Sequence, residues 1–242
     1  MDRIPVQHRK DQGRFYKGIP IHAAPSVHEA AGALLERHAP PPATVLDLGG
    51  GSGALTARLR DRGYSAALAD LDPPPSPGGP CYTVDLNGPF DASSFGGVLY
   101  DAVVASEVIE HLENPRGFIR DVRGLLREGG ILLLTTPNVV DVDSRRLLLT
   151  RGEFWLFRRG TLFSTGHLSI LPYWLLQEVF RTEGWTIKET RFIGRKERTG
   201  WRRLLVPLVN VLLLPLGFGI PWRAAWAPCV AFVCSPKASS RG

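Results

Sequence analysis

The sequence predicts an α/β fold, in which a mostly parallel β-sheet is covered by helices on both faces. Seven short apolar segments have the length and composition of buried strands. Segments with helical spacing of apolar residues separate several of them, and this alternation is typical of a parallel sheet. A glycine-rich turn follows the first strand directly, at the place where α/β proteins bind ligands.

The seven predicted strands share a short apolar run bounded by polar or turn residues. In chain order they are 44–48, 64–70, 81–86, 99–106, 131–138, 185–193 and 229–235. The second strand, "YSAALAD", ends at Asp70, and the third, "CYTVDL", ends near Asp85. Because ligands lie beyond the carboxyl ends of parallel strands, both carboxylates are candidates for a ligand site.

The first two predicted helices flank the first strand. The motif "SVHE" is typical of a capping box, in which Ser26 caps the helix start and Glu29 reaches back to it. This helix is expected to stop before Pro40. The second helix follows the glycine turn and has Leu55 and Leu59 on one face.

Two further helices are predicted in the second half of the chain. Asn114 is the expected cap of the third helix and Pro115 its first residue, and Gly129-Gly130 is its expected end. Residues 172–184, "PYWLLQEVFRTEG", form the fourth helix. Residues 137–170 are expected to be a loop that serves as a lid and substrate-binding segment.

The composition is that of one globular domain, since 44% of the 242 residues are hydrophobic and 21% are charged. Residues 26–136 form its predicted cofactor-binding half. A net charge of +6 favours anionic partners only weakly. The three cysteines lack metal-ligand spacing and predict reduced thiols in a cytosolic protein. The N-terminus has no apolar run, so no secretory signal is expected.

Residues 195–222 form a predicted insertion before the last strand, a basic patch followed by a long apolar run. The uncharged part, 204–222, would span roughly 28 Å as a helix. Two internal prolines, and the return of the last strand to the sheet, oppose a membrane span. Two interpretations are favoured: an intramolecular cover over the substrate pocket, or a peripheral contact with anionic membrane through 195–223. The second predicts a cytoplasmic protein on the inner face of a membrane.

The glycine turn has the sequence "LDLGGGSG", with Asp47, Gly49, Gly51 and Gly53 at alternate positions. A P-loop is excluded because no Lys-Ser or Lys-Thr pair follows the last glycine. The dinucleotide-binding pattern is matched poorly. Asp70 ends the next strand, where a carboxylate can bind both hydroxyls of a ribose, so a nucleoside cofactor is indicated.

The ordered set of motifs resembles the class I S-adenosylmethionine-dependent methyltransferases. It consists of "VLDLGGGSG", the acid in "ALADLDP", "YTVDL", "YDAVVASEVIEHLENP" and "GGILLLTTPN", over roughly residues 26–193. The resemblance implies a Rossmann-like, seven-stranded sheet whose last strand is antiparallel. It departs from the family at the proline-rich residues 73–80, which replace the usual helix after the second strand.

The resemblance also implies where S-adenosylmethionine lies. The glycine turn passes under it, Asp47 lies near its methionine end, and Asp70 binds its ribose. Asp85 and Leu86 border the adenine, and Ser106 lies near the sulfonium. The complete set of implied cofactor-binding residues is Asp47, Gly49, Gly51, Gly53, Asp70, Leu71, Asp85, Leu86, Ser106 and Glu107.

The stretch "EVIEHLENP" follows the fourth strand and borders the expected transfer site. A helical turn there would place Glu107, Glu110 and His111 on one face. Three interpretations are open. In the first, Glu110 faces solvent, His111 packs against the following loop, and only Glu107 borders the pocket. In the second, His111 is a general base without metal. In the third, the three side chains bind Mg²⁺ or Mn²⁺.

Two families share this E-x-x-E-H element and use it for metal. The sequence is similar to the ubiquinone-pathway O-methyltransferases, and it shares the element with small-RNA 3′-terminal 2′-O-methyltransferases. The RNA group has a further histidine after the fifth strand, and His167 lies in that interval. The resemblance therefore implies Glu107, Glu110, His111 and His167 as metal ligands, and His111 and His167 are the catalytic candidates.

These features predict a methyltransferase that acts on oxygen of a small or amphiphilic, membrane-associated acceptor. An RNA 2′-O-methyltransferase is the alternative enzyme. Nucleic acid is disfavoured because the aromatic residues form no evident stacking platform. A catalytically silent methyltransferase fold that serves as a partner protein is the alternative from another class.

Overall fold

The computed structural model describes residues 14–75, 78–160, 165–194 and 222–237. A short hairpin comes first, and seven further strands form one sheet. The strands are β1 Phe15–Tyr16, β2 Ile19–Pro20, β3 Thr44–Leu48, β4 Ser65–Asp70, β5 Cys81–Thr83, β6 Tyr100–Ser106, β7 Leu126–Pro137, β8 Trp185–Ile193 and β9 Cys229–Pro236. The sheet order is β5-β4-β3-β6-β7-β9-β8, and β9 is antiparallel to both of its neighbours. The predicted fold class is confirmed.

Helices cover both faces of the sheet. They are α1 Val27–His38, α2 Ala54–Asp61, α3 Pro115–Val122, α4 Val142–Arg151, α5 Tyr173–Thr182 and α6 Trp222–Trp226, with 3₁₀ helices at Ala92–Phe95, Ile109–His111 and Arg123–Leu125. Along β3, Leu46 and Leu48 pack into the core beneath α3 and α5, while Val45 packs into the core beneath α1 and α2. Alternate residues of this central strand therefore supply both cores, as the two-residue period requires.

The predicted capping box at the start of α1 is wrong. Ser26 has a left-handed backbone, with φ of 68°, and its side chain makes no capping hydrogen bond. Glu29 instead pairs with Arg58 of α2 at 2.8 Å. The local motif is overridden because the two neighbouring helices bring a guanidinium within reach of the carboxylate. The expected end of the helix before Pro40 is confirmed.

The predicted end of α3 is also wrong, because α3 ends at Val122 and Gly129-Gly130 lies within β7. Tyr100 of β6 pairs with Leu126, yet Ala102 pairs with Ile131, so the register shifts between these two pairs. Gly129 has φ of +77°, a value that glycine adopts without strain. The glycine pair therefore serves an irregular strand entry rather than a helix end.

The segment 137–170 is more ordered than the predicted loop, because it contains α4. Asp141 caps that helix, and its Oδ1 accepts a hydrogen bond from the Ser144 N–H at 2.8 Å. The predicted insertion falls almost wholly on residues 195–221, which lie outside the described residues. Within the described ranges, no helix is both long and apolar enough to cross a membrane.

Replacement of Asn114 by Ala is expected to lower the free energy of unfolding by about 1 kcal/mol. Its side-chain oxygen accepts a hydrogen bond from the Gly117 N–H at 2.9 Å, and Pro115 follows at the first helical position. Urea denaturation measures the loss. Asn114→Asp is the matched control, because it keeps the acceptor oxygen and should lose much less. Equal losses in the two variants would contradict this role of the cap.

Candidate active site

A cleft of about 490 Å³ opens at the carboxyl ends of the central strands. Gly49 follows β3, Ser106 ends β6, and Pro137 ends β7. The lining residues are Arg14, Pro20, Ile21, His22, Ala23, Ala24, His28, Asp47, Gly49, Gly50, Gly51, Ser52, Ala54, Leu55, Ser106, Glu107, Glu110, His111, Pro137, Leu156, Thr165 and His167. The glycine turn and the residues of "EVIEH" thus share one cavity, as the sequence predicts.

The glycine turn is held close to the sheet. The Gly49 N–H donates to the Ala69 carbonyl of β4 at 2.7 Å, and the Gly49 backbone has φ of +70°. A Cβ at this position would lie 2.5 Å from Cγ2 of Val108. Both the backbone conformation and the space therefore require glycine here.

Asp47 lies inside the protein, beneath the turn, with 1% of its surface exposed. The Thr56 hydroxyl donates to its Oδ2 at 2.6 Å. Burial raises the pKa of Asp47 to about 6, against an ordinary value of 3.8. A carboxylate in this position is well suited to meet a cationic ligand group, whose charge would compensate for the lost solvation.

The residues predicted to hold the ribose and the adenine lie at the ends of β4 and β5. Asp70 Oδ2 accepts the Gly51 N–H at 2.8 Å, and its Oδ1 accepts the Asp72 N–H at 3.1 Å. Leu71 is 51% exposed, and the partly buried Leu86 packs against the core. None of these, nor Asp85 and Gly53, belongs to the described lining of the cleft.

Glu107 lies at the sharp turn that leaves β6. Its φ of 57° is left-handed and costs of order 1–3 kcal/mol for a residue with a side chain. The Glu107 N–H donates to the Thr135 carbonyl at 3.0 Å, and the Thr135 hydroxyl donates to its Oε1 at 3.0 Å. Cys229 Sγ donates to Oε2 at 3.7 Å. Burial raises the pKa of Glu107 to about 7.

Glu110 is only 1% exposed, so the interpretation that it faces solvent is wrong. The Thr136 hydroxyl donates to its Oε2 at 3.1 Å, while Oε1 is buried without a hydrogen-bond partner in the described structure. Burial, followed by repulsion from Glu107, raises the pKa of Glu110 well above its usual range. The Glu110 carbonyl accepts the N–H groups of Leu168 and Ser169 at 2.8 and 2.9 Å.

These backbone bonds bring His167 to His111, with ring centroids 4.8 Å apart. Nδ1 of His167 lies 3.1 Å from the Leu156 carbonyl, so Nδ1 carries the proton and Nε2 keeps its lone pair. Burial, followed by His111, lowers the pKa of His167 to about 4. Ligand atoms of Glu110, His111 and His167 lie within 4.8 Å of one another. Glu107 is outside this cluster.

The helical-turn geometry expected for "EVIEH" is only partly correct. Ile109–His111 is a short 3₁₀ helix, and Glu107 precedes it in a left-handed conformation. The side chains of Glu107, Glu110 and His111 still line one cleft, because the left-handed turn at Glu107 changes the chain direction before the 3₁₀ helix begins.

Sequence reasoning missed the N-terminal hairpin of β1 and β2, which lines the cleft. The Ser52 hydroxyl of the glycine turn donates to the Pro20 carbonyl at 2.6 Å. Asp61 at the end of α2 accepts the Tyr16 hydroxyl at 2.5 Å and Lys17 Nζ at 2.7 Å. Arg14 and His22, which flank the hairpin, line the cleft together with His28 of α1. No periodic pattern marks this polar segment, so the sequence carries no signal for it.

A family model described as a methyltransferase domain matches residues 22–190. The chain belongs to this family. Its sheet, with one antiparallel strand next to the edge, and its glycine turn agree with that assignment, and the prediction of a class I S-adenosylmethionine-dependent methyltransferase is confirmed at the level of family and fold.

Two curated relatives of this methyltransferase carry the name ubiquinone biosynthesis O-methyltransferase. The protein of Xanthomonas axonopodis pv. citri is 30% identical over 128 residues, which cover 49% of this chain and 52% of the relative. The protein of Cereibacter sphaeroides is 30% identical over 101 residues, covering 39% and 41%. The chain thus spans about half the length, or less, of the curated relatives it matches.

The methyltransferase fold is also shared with a solved structure from Burkholderia thailandensis. That protein, a 1,6-didemethyltoxoflavin-N1-methyltransferase, has S-adenosylhomocysteine and 1,6-didemethyltoxoflavin bound. The TM-score is 0.55 at 15% identity, and the match covers 87% of this chain and 78% of that one. An identity this low shows the fold alone.

In the absence of cofactor, Asp47→Asn is expected to stabilise the protein at pH 8 and to lose that advantage in acid. The folded pKa of about 6 exceeds the ordinary 3.8, so stability from this group falls as pH rises through this window. The free energy of unfolding of the variant, relative to that of wild type, is expected to be higher at pH 8 than below pH 4 by an amount that approaches about 3 kcal/mol. Urea denaturation at a series of pH values, with variant and wild type side by side, measures it.

Asp101→Asn is the control for this pH dependence. Burial acts to raise the pKa of Asp101, but hydrogen bonds from Thr44 and Arg127 outweigh it and lower that pKa. Its contribution is therefore present above the ordinary pKa and is lost in acid, so this variant should lose stability at pH 8. The same sign of effect in both variants would contradict the burial argument for Asp47.

Proposed function

We propose that this protein transfers a methyl group from S-adenosylmethionine to an oxygen of a small or amphiphilic acceptor. The observation that carries the proposal is the neutral His167, which lies beside His111 in the cavity that the glycine turn also lines. The names of the curated relatives favour oxygen as the acceptor atom.

In this proposal the cofactor lies over Gly49 and Gly51, with its methionine end toward the buried Asp47. Its amino group would supply the positive charge that favours the ionised form of Asp47. Asp70, which already orients the turn through the Gly51 N–H, would accept the ribose hydroxyls. Leu71, Gly53, Asp85 and Leu86 would complete the nucleoside side, and Ser106 and Glu107 would border the sulfonium.

Methyl transfer requires an acceptor oxygen aligned with the sulfonium and stripped of its proton. With Nδ1 directed at the Leu156 carbonyl, His167 can accept a proton at Nε2. Its pKa of about 4 makes it a weak base, although one that is neutral and available at pH 7. His111 lies next to it and is the second candidate base. Alignment of the two reactants in the cleft would contribute the larger part of the rate.

The cluster of Glu110, His111 and His167 also fits a divalent cation. Glu110 Oε1 is buried and unpartnered, and a metal ion would satisfy it. Two imidazoles with one carboxylate suit Mn²⁺ better than Mg²⁺. Bound there, the ion would lower the pKa of an acceptor hydroxyl. Glu107 is the weaker candidate ligand, since both its oxygens already accept hydrogen bonds.

Two other functions remain as outcomes of experiment. The same cluster would suit the terminal ribose diol of an RNA, so an RNA 2′-O-methyltransferase is the alternative enzyme. A silent methyltransferase fold would show no saturable cofactor binding. Acceptor screening with catechols, single phenols and 3′-terminal ribose diols separates the two enzymatic candidates.

Calorimetry with S-adenosylhomocysteine is expected to show one saturable site, lost or weakened at least tenfold in Gly49→Ala. An added Cβ would strain the turn and meet Val108, and it would displace the backbone from the cofactor. Gly129→Ala is the matched control, because its φ of +77° imposes similar strain while nothing lies within 4 Å of the added Cβ. Binding by NAD but not by S-adenosylhomocysteine would refute the proposal.

Titration of Mn²⁺ into the protein loaded with S-adenosylhomocysteine is expected to show about one equivalent bound. Glu110→Gln and His167→Ala should each weaken that binding by 10-fold or more, since each removes one of the three ligands. His38→Ala is the control, because His38 lies at the other end of α1 from the cleft-lining His28 and bonds Glu189 instead. No saturable binding would remove the metal and leave His167 or His111 as base.

A further inference from the structure

Helix α4 exposes leucines that the protein core does not use. In the run 147–149, Leu147 is buried at 3% exposure, whereas Leu148 is 45% and Leu149 71% exposed. Successive residues of a helix point about 100° apart, so three adjacent leucines cannot all face the core. Leu149 is the most exposed large hydrophobic residue in the part of the chain that the structure describes.

This exposure is fixed by the packing of α4. Besides the cap from Asp141, Arg145 Nε donates to the Val140 carbonyl at 2.9 Å. The Ser144 hydroxyl accepts the Trp155 N–H at 3.3 Å, which ties the helix to the loop that follows it. The helix is therefore oriented by hydrogen bonds at its first turn, and Leu148 and Leu149 are held on its outer side.

Arginines accompany these leucines. Residues 142–160 contain five arginines and two acidic residues. Arg146, Arg151 and Arg159 are exposed, and Arg159 has only a long contact of 3.9 Å with Glu153. An exposed aliphatic pair beside unburied guanidinium groups is the composition of an element that lies at a lipid surface.

Further exposed apolar side chains lie next in sequence to a residue that lines the cleft. Leu156, which follows α4, lines the cleft and approaches His167 through its carbonyl. Directly after His167, Leu168 and Ile170 are 47% and 42% exposed. Apolar side chains thus stand on two chain segments that each contribute a residue to the cavity.

We propose that α4 docks on the surface of an anionic lipid bilayer, with Leu148 and Leu149 in the boundary between headgroups and acyl chains. Arg146 and Arg151 would contact lipid phosphates. A second copy of this chain is disfavoured as the occupant, since it would present the same positive charge. Nucleic acid is disfavoured because aliphatic side chains give no stacking platform.

This docking would orient the protein with its cleft near the membrane. An amphiphilic acceptor could then enter the cleft without leaving the lipid surface. Only this last step, the delivery of an acceptor, rests on the proposed methyl transfer. The docking itself requires no turnover, and vesicle binding therefore tests it separately from catalysis.

The test is co-sedimentation of the full chain with vesicles of phosphatidylglycerol and phosphatidylcholine, against vesicles of phosphatidylcholine alone. Wild type is expected to bind the anionic vesicles, and binding should weaken at least about fivefold in the double variant L148Q/L149Q. A similar loss is expected in R146Q/R151Q. The control is V98Q/L99Q, whose positions are comparably exposed but precede β6, at the opposite end of the sheet from the cleft.

Binding of S-adenosylhomocysteine, measured for every variant by calorimetry, shows that a loss of vesicle binding is not a loss of fold. Three outcomes would overturn the proposal. They are no vesicle binding by wild type, equal binding to neutral vesicles, and unchanged binding by both α4 variants, which would assign the contact to another segment.

Discussion

The register between β6 and β7 is the constraint on which the site depends. Ser106 pairs with Thr135, so the next residue of β7, Thr136, extends beyond the end of β6. These two threonine hydroxyls meet the carboxylates of Glu107 and Glu110 at 3.0 and 3.1 Å. Carboxylates buried without such donors would cost several kcal/mol. A one-residue slip of β7 would put Leu134 or Pro137 in the place of one threonine, so one of the two carboxylates would lose its donor.

A single path of contacts leads from that register to the mouth of the cleft. The turn at Glu107 is held by the Thr135 carbonyl and starts the 3₁₀ helix that carries Glu110. The Glu110 carbonyl fixes the backbone of 168–169, and this places His167 against His111. The Leu156 carbonyl then sets the tautomer of His167. The proposed base is therefore tied to the carboxyl ends of β6 and β7, and it contacts the loop that follows the proposed docking helix.

Burial raises the pKa of Asp47, Glu107 and Glu110, which lie near the carboxyl ends of the central strands β3 and β6. In the ionised form each of these carboxylates lowers the stability of the fold. Groups with such perturbed pKa values concentrate at functional sites, where a bound cation or cationic ligand offsets the lost solvation. This physical expectation agrees with the proposed cofactor beside Asp47 and the proposed ion beside Glu110.

The sequence by itself determined the strands, the glycine turn and the family, because apolar periodicity and glycine at left-handed positions are local requirements. It also predicted Asp47 as a cofactor-binding residue and His111 and His167 as catalytic candidates. Only the tertiary structure decided that Glu110 is buried, that Ser26 forms no cap, and that the hairpin of β1 and β2 lines the cleft. Each of these depends on a contact between residues distant in the sequence. Glu110 meets Thr136, Glu29 pairs with Arg58 rather than with the helix start, and Pro20 of the hairpin meets Ser52. No local pattern encodes such a contact.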